Sequence, residues 1–298
     1  MLNLNNVTKQ FGTFTAVDRL NIQVPEHEML GFLGGNGAGK TTTFRMILGL
    51  LEKTEGTITY NGRPIDYTVT DDIGYLPEER GLNPKLKVYE QINYLGQLKG
   101  MTRQQVTQEL KYWLDRFEVP ENVNKKIESL SKGNQQKIQL IGAIIHRPKL
   151  LILDEPFSGL DPVNVELLKT AVKEMNDNGA TIVFSSHRME HVEEMCDRVC
   201  ILDKGKTVVS GNIKQVKQDF GRKEIIISGD HDFNHLRHIP GVINFKQHRN
   251  DVRLTVDDQS VAPHVFEAVK QLGYVSKFEV AEPSLNDIFL AKVGRHHE

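Results

Sequence analysis

The sequence has little of what builds extracellular scaffolds or membrane spans. Only two cysteines, Cys196 and Cys200, occur among 298 residues, so no disulfide framework is expected. Their spacing of four leaves a metal pair open, but small core residues in a reducing compartment are the preferred reading. No stretch approaches the ~18 apolar residues of a spanning helix. If this protein serves a membrane, the spanning part is another chain. An excess of one charge is also missing: 37 basic against 39 acidic residues leave a net charge of 37 − 39 = −2. That excludes a global basic field for nucleic acid or anionic lipid. The start, Met1-Leu2-Asn3-Leu4-Asn5-Asn6, has no basic segment and no long apolar segment, so no signal peptide is expected. Long internal repeats and low-complexity tracts are absent as well. What remains, 39% hydrophobic and 26% charged residues, suits a globular chain of about two domains.

What is present is a phosphate-binding loop. Gly34-Gly35-Asn36-Gly37-Ala38-Gly39-Lys40-Thr41-Thr42 fits G-x-x-x-x-G-K-[ST]. Met29 to Leu33 before it is a short apolar run, as in a buried strand. Phe44, Ile47, Leu48 and Leu51 after it recur at helical spacing. Strand, glycine loop and helix point backbone N–H groups at a phosphate. In that geometry Lys40 would reach the β- and γ-phosphates, and the Thr41 hydroxyl would ligate Mg²⁺.

Other stretches take meaning from this loop. Residues 1 to 30 read as short strands through Leu2, Leu4, Val7, Val17, Leu20, Ile22 and Val24. Between them Phe11 is either a core residue or a platform for a nucleotide base; spacing alone favours the core. Asn61-Gly62 after a β-run signals a hairpin. Pro77-Glu78-Glu79-Arg80-Gly81 follows the strand Ile73 to Leu76, as a solvated acidic turn or a loop facing nucleotide. From Val88 to about Gly142 the chain reads as helices, with Thr102 as an N-cap. Ser131 caps another helix, and with Gly133 beside it that N-terminus is an ordinary cap or a second anion site. Leu150-Leu151-Ile152-Leu153 reads as a central parallel strand ending in Asp154-Glu155, expected beside the P-loop strand. There Asp154 would hold Mg²⁺ through water and Glu155 would orient and deprotonate the attacking water. A further buried strand, Thr181 to Phe184, ends in Ser185-Ser186-His187; His187 is structural or touches the γ-phosphate. Lys204-Gly205 makes a closing hairpin.

Beyond about Lys217 the pattern changes to a small α+β unit of order β-α-β-β-α-β. Seven of the 11 histidines fall there: His231, His235, His238, His248, His264, His296 and His297. The first three share one helical face, as a metal site or, preferred, a solvated face.

Taken together, the P-loop, the Leu-Ser-x-Gly signature, the Asp-Glu strand, Ser158-Gly159-Leu160-Asp161 and the strand-end histidine resemble the nucleotide-binding subunit of an ABC transporter over about residues 1 to 217. The resemblance implies an α/β fold of the P-loop NTPase class. It implies a RecA-like core, an antiparallel β subdomain and an inserted helical subdomain at about 80–140, with residues 218–298 as an accessory α+β domain. It also makes Phe11 the adenine-stacking aromatic, Gly34 to Thr42 the Walker A loop, and Asp154 and Glu155 the Walker B acid and catalytic base. Asp161 falls in the D-loop, and His187 is the switch histidine. Ser131, Lys132, Gly133, Asn134 and Gln135 become a signature that completes the site of a second subunit, a copy or a paralogue packed head to tail. ATP and Mg²⁺ are the implied ligands. A separate transmembrane permease is the implied partner, with the chain peripheral on the inner face of the membrane and no nucleic acid bound. Three departures stand out: Gly35 where Pro is usual, Ser-Lys-Gly-Asn-Gln for the signature, and Glu78 where a Q-loop Gln is expected. A carboxylate at Glu78 could ligate Mg²⁺ or reset how permease contact gates hydrolysis. Together with the C-terminal unit, these features resemble bacterial ABC-2-type exporters of the sodium-extrusion and antibiotic-resistance kind. The competing reading is a soluble ABC ATPase acting on ribosomes or DNA.

Overall fold

The computed structural model describes residues 1–66, 69–79, 81–221, 223–249, 251–258 and 260–293. Arg80 of the acidic loop, Asn250 of the expected hairpin turn, and His296 and His297 lie outside the described residues, as does the side chain of His248. The chain forms two compact units, Met1–Gly211 and Asn212–Glu298.

The first unit runs β1 (Leu2–Phe11), β2 (Phe14–Val24), β3 (Met29–Leu33), α1 (Lys40–Ile47), β4 (Glu55–Tyr60), β5 (Arg63–Pro64), β6 (Ile73–Leu76), α2 (Val88–Leu98), α3 (Arg103–Arg116), α4 (Lys132–Ile144), β7 (Leu150–Leu153), α5 (Pro162–Asp177), β8 (Thr181–Ser186), α6 (Met189–Met195), β9 (Arg198–Asp203) and β10 (Lys206–Asn212). One sheet has the order β2-β1-β4-β5 and is antiparallel. Period-two alternation buries Leu20, Ile22 and Val24 on its inner face, and a register shift before Leu20 keeps Val17 buried as well. Its tight turn has φ of 49° at Asn61 and 76° at Gly62, the two left-handed residues of a type I′ hairpin.

The second sheet has the order β10-β9-β3-β8-β7-β6. Strands β9, β3, β8, β7 and β6 pair in parallel, with β6 at the edge. Every residue of β3, β7 and β8 is buried, which explains why these strands read as apolar runs rather than alternations. The expectation that β7 adjoins the P-loop strand is corrected here. β8 lies between them, pairing Leu30 through Val183 on one edge and Leu151 through Ile182 on the other. The two motif-bearing strands are equally apolar, so composition carries no sign of the strand inserted between them. One apolar cluster, including Leu4, Val17, Phe32, Phe44 and Ile152, joins the antiparallel sheet, α1 and the parallel sheet. Phe44 meets Phe32 edge-on at 5.6 Å. Close packing also makes Gly31 obligatory: a Cβ there would sit 2.3 Å from Val192 Cγ1 on α6. Gly31→Ala is expected to lower stability by about 1–3 kcal/mol, read by denaturant unfolding.

Between β6 and β7 the helices form as their caps and stripes indicate. Thr102 and Gln105 make a reciprocal capping box on α3. Val106, Leu110, Leu114 and Phe117 are buried. Among the described residues no helix is long and apolar enough to cross a membrane.

The second unit begins one short helix earlier than residue 218, because α7 (Ile213–Asp219) belongs to it. There follow β11 (Lys223–Ser228), a 3-10 turn (Asn234–His238), β12 (Val242–His248), β13 (Asp251–Val256), α8 (Val261–Lys270), β14 (Lys277–Ala281) and α9 (Leu285–Val293). The sheet is antiparallel with order β12-β13-β11-β14. Its core packs Ile225, Ile227, Val252 and Leu254 against Val265 and Phe233. The order β-α-β-β-α-β needs one correction: the first helix is only the 3-10 turn. Its tighter pitch and the position of His231 before it take His231, His235 and His238 off a common helical face. Among the described residues no three metal-ligating side chains gather. Cys200 is buried in β9 and burial pushes its thiol up to about 12, so it is an inert core residue.

Candidate active site

The loop 34–39 is shaped by its glycines. Gly37 and Gly39 have φ of 77° and 106°, and a Cβ on Gly39 would lie 2.7 Å from the Ala16 carbonyl oxygen. Gly39 is also the N-cap of α1, which has no side-chain cap and no acid in its first turn. The helix N-terminus therefore offers its N–H groups and partial positive charge to an external anion. Lys40 is buried, and its ammonium donates to the carbonyls of Gly34 at 2.7 Å and Gly35 at 3.2 Å. At Gly35 itself a Cβ would meet nothing within 4 Å, so the larger residue usual there in the resembling family would also fit.

Across the loop stands the end of β7. Asp154 is buried, and Thr41 Oγ1 donates to its Oδ2 at 2.9 Å. Ser185 Oγ donates to its Oδ1 at 2.6 Å and accepts from Glu155 N–H at 2.9 Å. Glu155 holds the left-handed conformation, φ 50°, a strained state for a side chain of its size. Its Oε2 lies 2.9 Å from His187 Nδ1. The carboxylate is 10% exposed and the imidazole 56%, so the pair spans the boundary between protein and solvent.

The loop and the two acids border one cleft of about 420 Å³, walled by Phe11, Phe14, Gly35 to Thr42, Glu78, Asp154 and Glu155. Phe11 is 49% exposed, which overturns the core reading that its spacing favoured. Phe14 is 62% exposed and pairs with it across the Gly12 turn. Sequence reasoning passed over Phe14; two aromatics flanking a Gly-centred hairpin were the available signal. It also passed over Ser185 and Gln139. Gln139, on α4, donates to the carbonyls of Pro77 at 3.0 Å and Glu79 at 3.1 Å, which holds the Glu78 segment at the cleft. The chemistry of the donors fits Mg²⁺: a hydroxyl and a carboxylate, both hard oxygen ligands, converge beside the phosphate loop.

The signature segment lies elsewhere. Ser131 caps α4 by accepting from Asn134 N–H at 3.3 Å, and Gln135 donates to the Ile127 and Leu130 carbonyls. Among the described residues walling the cleft, none comes from Ser131 to Gln135. Asp161 caps α5, and hydrogen bonds from the Asn164 backbone and side chain hold its carboxyl below the usual range. A Cβ on Gly133 would come within 3.0 Å of Asn164 Nδ2, so signature and D-loop helix pack closely.

Comparison with known proteins decides the family. The profile of the family described as ABC transporter matches residues 17–158, and that of the DrrA1-3-like ATP-binding protein C-terminal domain matches 211–293. The ABC transporter ATP-binding protein YhaQ of Bacillus subtilis (strain 168) is 54% identical over the full length of both chains. This chain belongs to the ATP-binding proteins of ABC transporters. The linearmycin resistance ATP-binding protein LnrL of the same organism is 31% identical over 99% of each chain. A solved ATP-binding subunit of an ABC transporter has 29% identity and a TM-score of 0.70, covering 74% of this chain and 93% of its own. The narrower resemblance to ABC-2-type export ATPases is borne out by the C-terminal match and by such relatives. As a member of this family the protein is an ATPase, and the α/β P-loop fold with an appended C-terminal unit is the fold of its class.

Proposed function

We propose that this ABC ATPase is the motor of an exporter, binding ATP with Mg²⁺ between two subunits packed head to tail. Lys40 and the loop amides of Gly34 to Thr42 hold the β- and γ-phosphates, and Phe11 stacks on adenine. Thr41 and Asp154 would hold Mg²⁺, Asp154 through water, and the ion supplies charge neutralisation at the phosphates. Glu155 orients and deprotonates the attacking water, and His187 fixes the Glu155 carboxylate. The observation that carries this reading is the division of the site. Loop and acids meet in one cleft, with His187 bonded to Glu155, while Ser131 and Gly133 sit at a helix N-terminus outside it. The signature residues Ser131, Lys132, Gly133, Asn134 and Gln135 therefore serve the partner's nucleotide, with Asp161 at the same interface.

The partner is a second copy or a paralogue. A separate permease spans the membrane, with the motor peripheral on its inner face and residues 218–298 as an accessory domain. Sodium ions, a drug or a peptide are the substrate classes that the resemblance suggests. A relative named for linearmycin resistance supports the drug class. Action on ribosomes or DNA finds no support in the names of these relatives. To test the reading, Glu155→Gln would be trapped with ATP in membranes and the co-purifying protein identified. A polytopic membrane protein is expected, and ribosomes instead would overturn it. Glu78, exposed at the cleft, couples rather than catalyses. Glu78→Gln is expected to leave basal ATPase within a few-fold of the parent, against the loss of about 10²–10⁴-fold for a missing general base. Steady-state phosphate release checks this.

A further inference from the structure

We propose that Ser185 is the positioning residue of the catalytic acids, one hydroxyl that fixes the carboxylate of Asp154 and the backbone of Glu155 together. The inference rests on the roles just proposed for those two residues. The ladder between β7 and β8 ends at Leu153 and Phe184. Asp154 and Ser185 are the first residues beyond it, while β8 stays anchored to β3 through Ser185 and Phe32. With Glu155 in the left-handed region, its N–H has left the ladder, and the Ser185 hydroxyl accepts it at 2.9 Å. The same hydroxyl gives its proton to Asp154 Oδ1 at 2.6 Å. The single O–H and one of the two lone pairs are used, and Ser185 is 0% exposed, so bulk solvent reaches neither bond. With Oδ1 held by Ser185, Oδ2 is the oxygen turned to Thr41. Ser185 thus decides which oxygen of Asp154 faces the metal position and holds the backbone turn that aims Glu155 at His187. Such outer partners of metal ligands typically change affinity or activity by 10–100-fold when removed.

The neighbouring Ser186 supplies a matched control. It is 3% exposed, and its hydroxyl accepts from Arg188 N–H, touching neither acid. In the full chain, Ser185→Ala is expected to lower kcat by ~10–100-fold while KM for ATP moves less than ~3-fold. Ser186→Ala, an equal deletion in the same strand, is expected to stay within ~3-fold of the parent. A second readout is independent of turnover. In the Glu155→Gln background, the gain in affinity for a fluorescent ATP analogue on adding Mg²⁺ is expected to fall ~10-fold with Ser185→Ala. Parental kcat in Ser185→Ala, equal losses in the two alanine variants, or an undiminished Mg²⁺ gain would each overturn the proposal. If Glu155→Gln alone kept parental turnover, the general-base reading would fail instead, and the Mg²⁺ gain would still report on the Asp154 arm.

Discussion

Glu155→Gln is expected to bind ATP as tightly as the parent and to hydrolyse it 10²–10⁴-fold more slowly, the usual range for a lost general base. The substitution keeps the volume, the left-handed backbone and the Ser185 bond to the Glu155 N–H, because that bond is made to the main chain. What it removes is the acceptor charge 2.9 Å from His187 Nδ1 and the capacity to take a proton. Binding should survive, since on the reading proposed above the phosphates are held by the loop, Lys40 and the α1 N-terminus rather than by the Glu155 side chain. Hydrolysis stalls with ATP still bound, so the variant should also accumulate as an ATP-dependent dimer. Single-turnover phosphate release and size-exclusion chromatography with ATP check the two halves. Parental turnover would remove Glu155 from the role of base.

How much of this was readable beforehand depends on the range of the interaction. The P-loop was legible because it is local: glycines at positive φ, a lysine and a helix start fall within nine residues, Gly34 to Thr42. Ser131 and Thr102 were legible as caps for the same reason, each bonding an amide three residues on. The Asp-Glu strand was legible because burial on both faces removes polar residues from β7. Register was not legible. Thr41 meets Asp154 across 113 residues, and Ser185 meets it across 31. Only the order of parallel strands sets those meetings, and strands buried on both faces look alike in sequence. Phe11 was misread by spacing because alternation assigns a face, while register shifts between β1 and β2 break the alternation before Phe11, the last pair at the hairpin's turn end. Only the resemblance to a family placed it at the cleft. The missing helix before β12 failed for a related reason: histidines at helical spacing are also compatible with a 3-10 turn and an extended lead-in.

Gly133→Asp is expected to leave ATP binding by the isolated chain intact and to reduce turnover about 10³-fold. The N-terminus of α4 carries the partial positive end of the helix, and Gly133 lies in its first turn. In the head-to-tail dimer proposed above, a carboxylate there would face the γ-phosphate of the partner's ATP. Two like unit charges about 4 Å apart at an effective dielectric of 20 repel by about 4 kcal/mol. At about 1.36 kcal/mol per decade that is close to three decades of rate. The new side chain would also press on Asn164, since even its Cβ would come within 3.0 Å of Nδ2, loosening the contact with the D-loop helix. Binding by one chain should not change, because none of the described residues walling its own cleft belongs to the signature. The decisive form of the experiment is a mixture. Lys40→Ala removes the phosphate lysine and Gly133→Asp the signature, so each homodimer has two damaged sites. A mixed dimer concentrates both lesions in one site and leaves the other intact. At equal concentrations half the dimers are mixed, so turnover should recover to about a quarter of the parental value if the two sites act independently. A site built from one chain alone would contain at least one lesion in every molecule, and the mixture would stay as inactive as its parts.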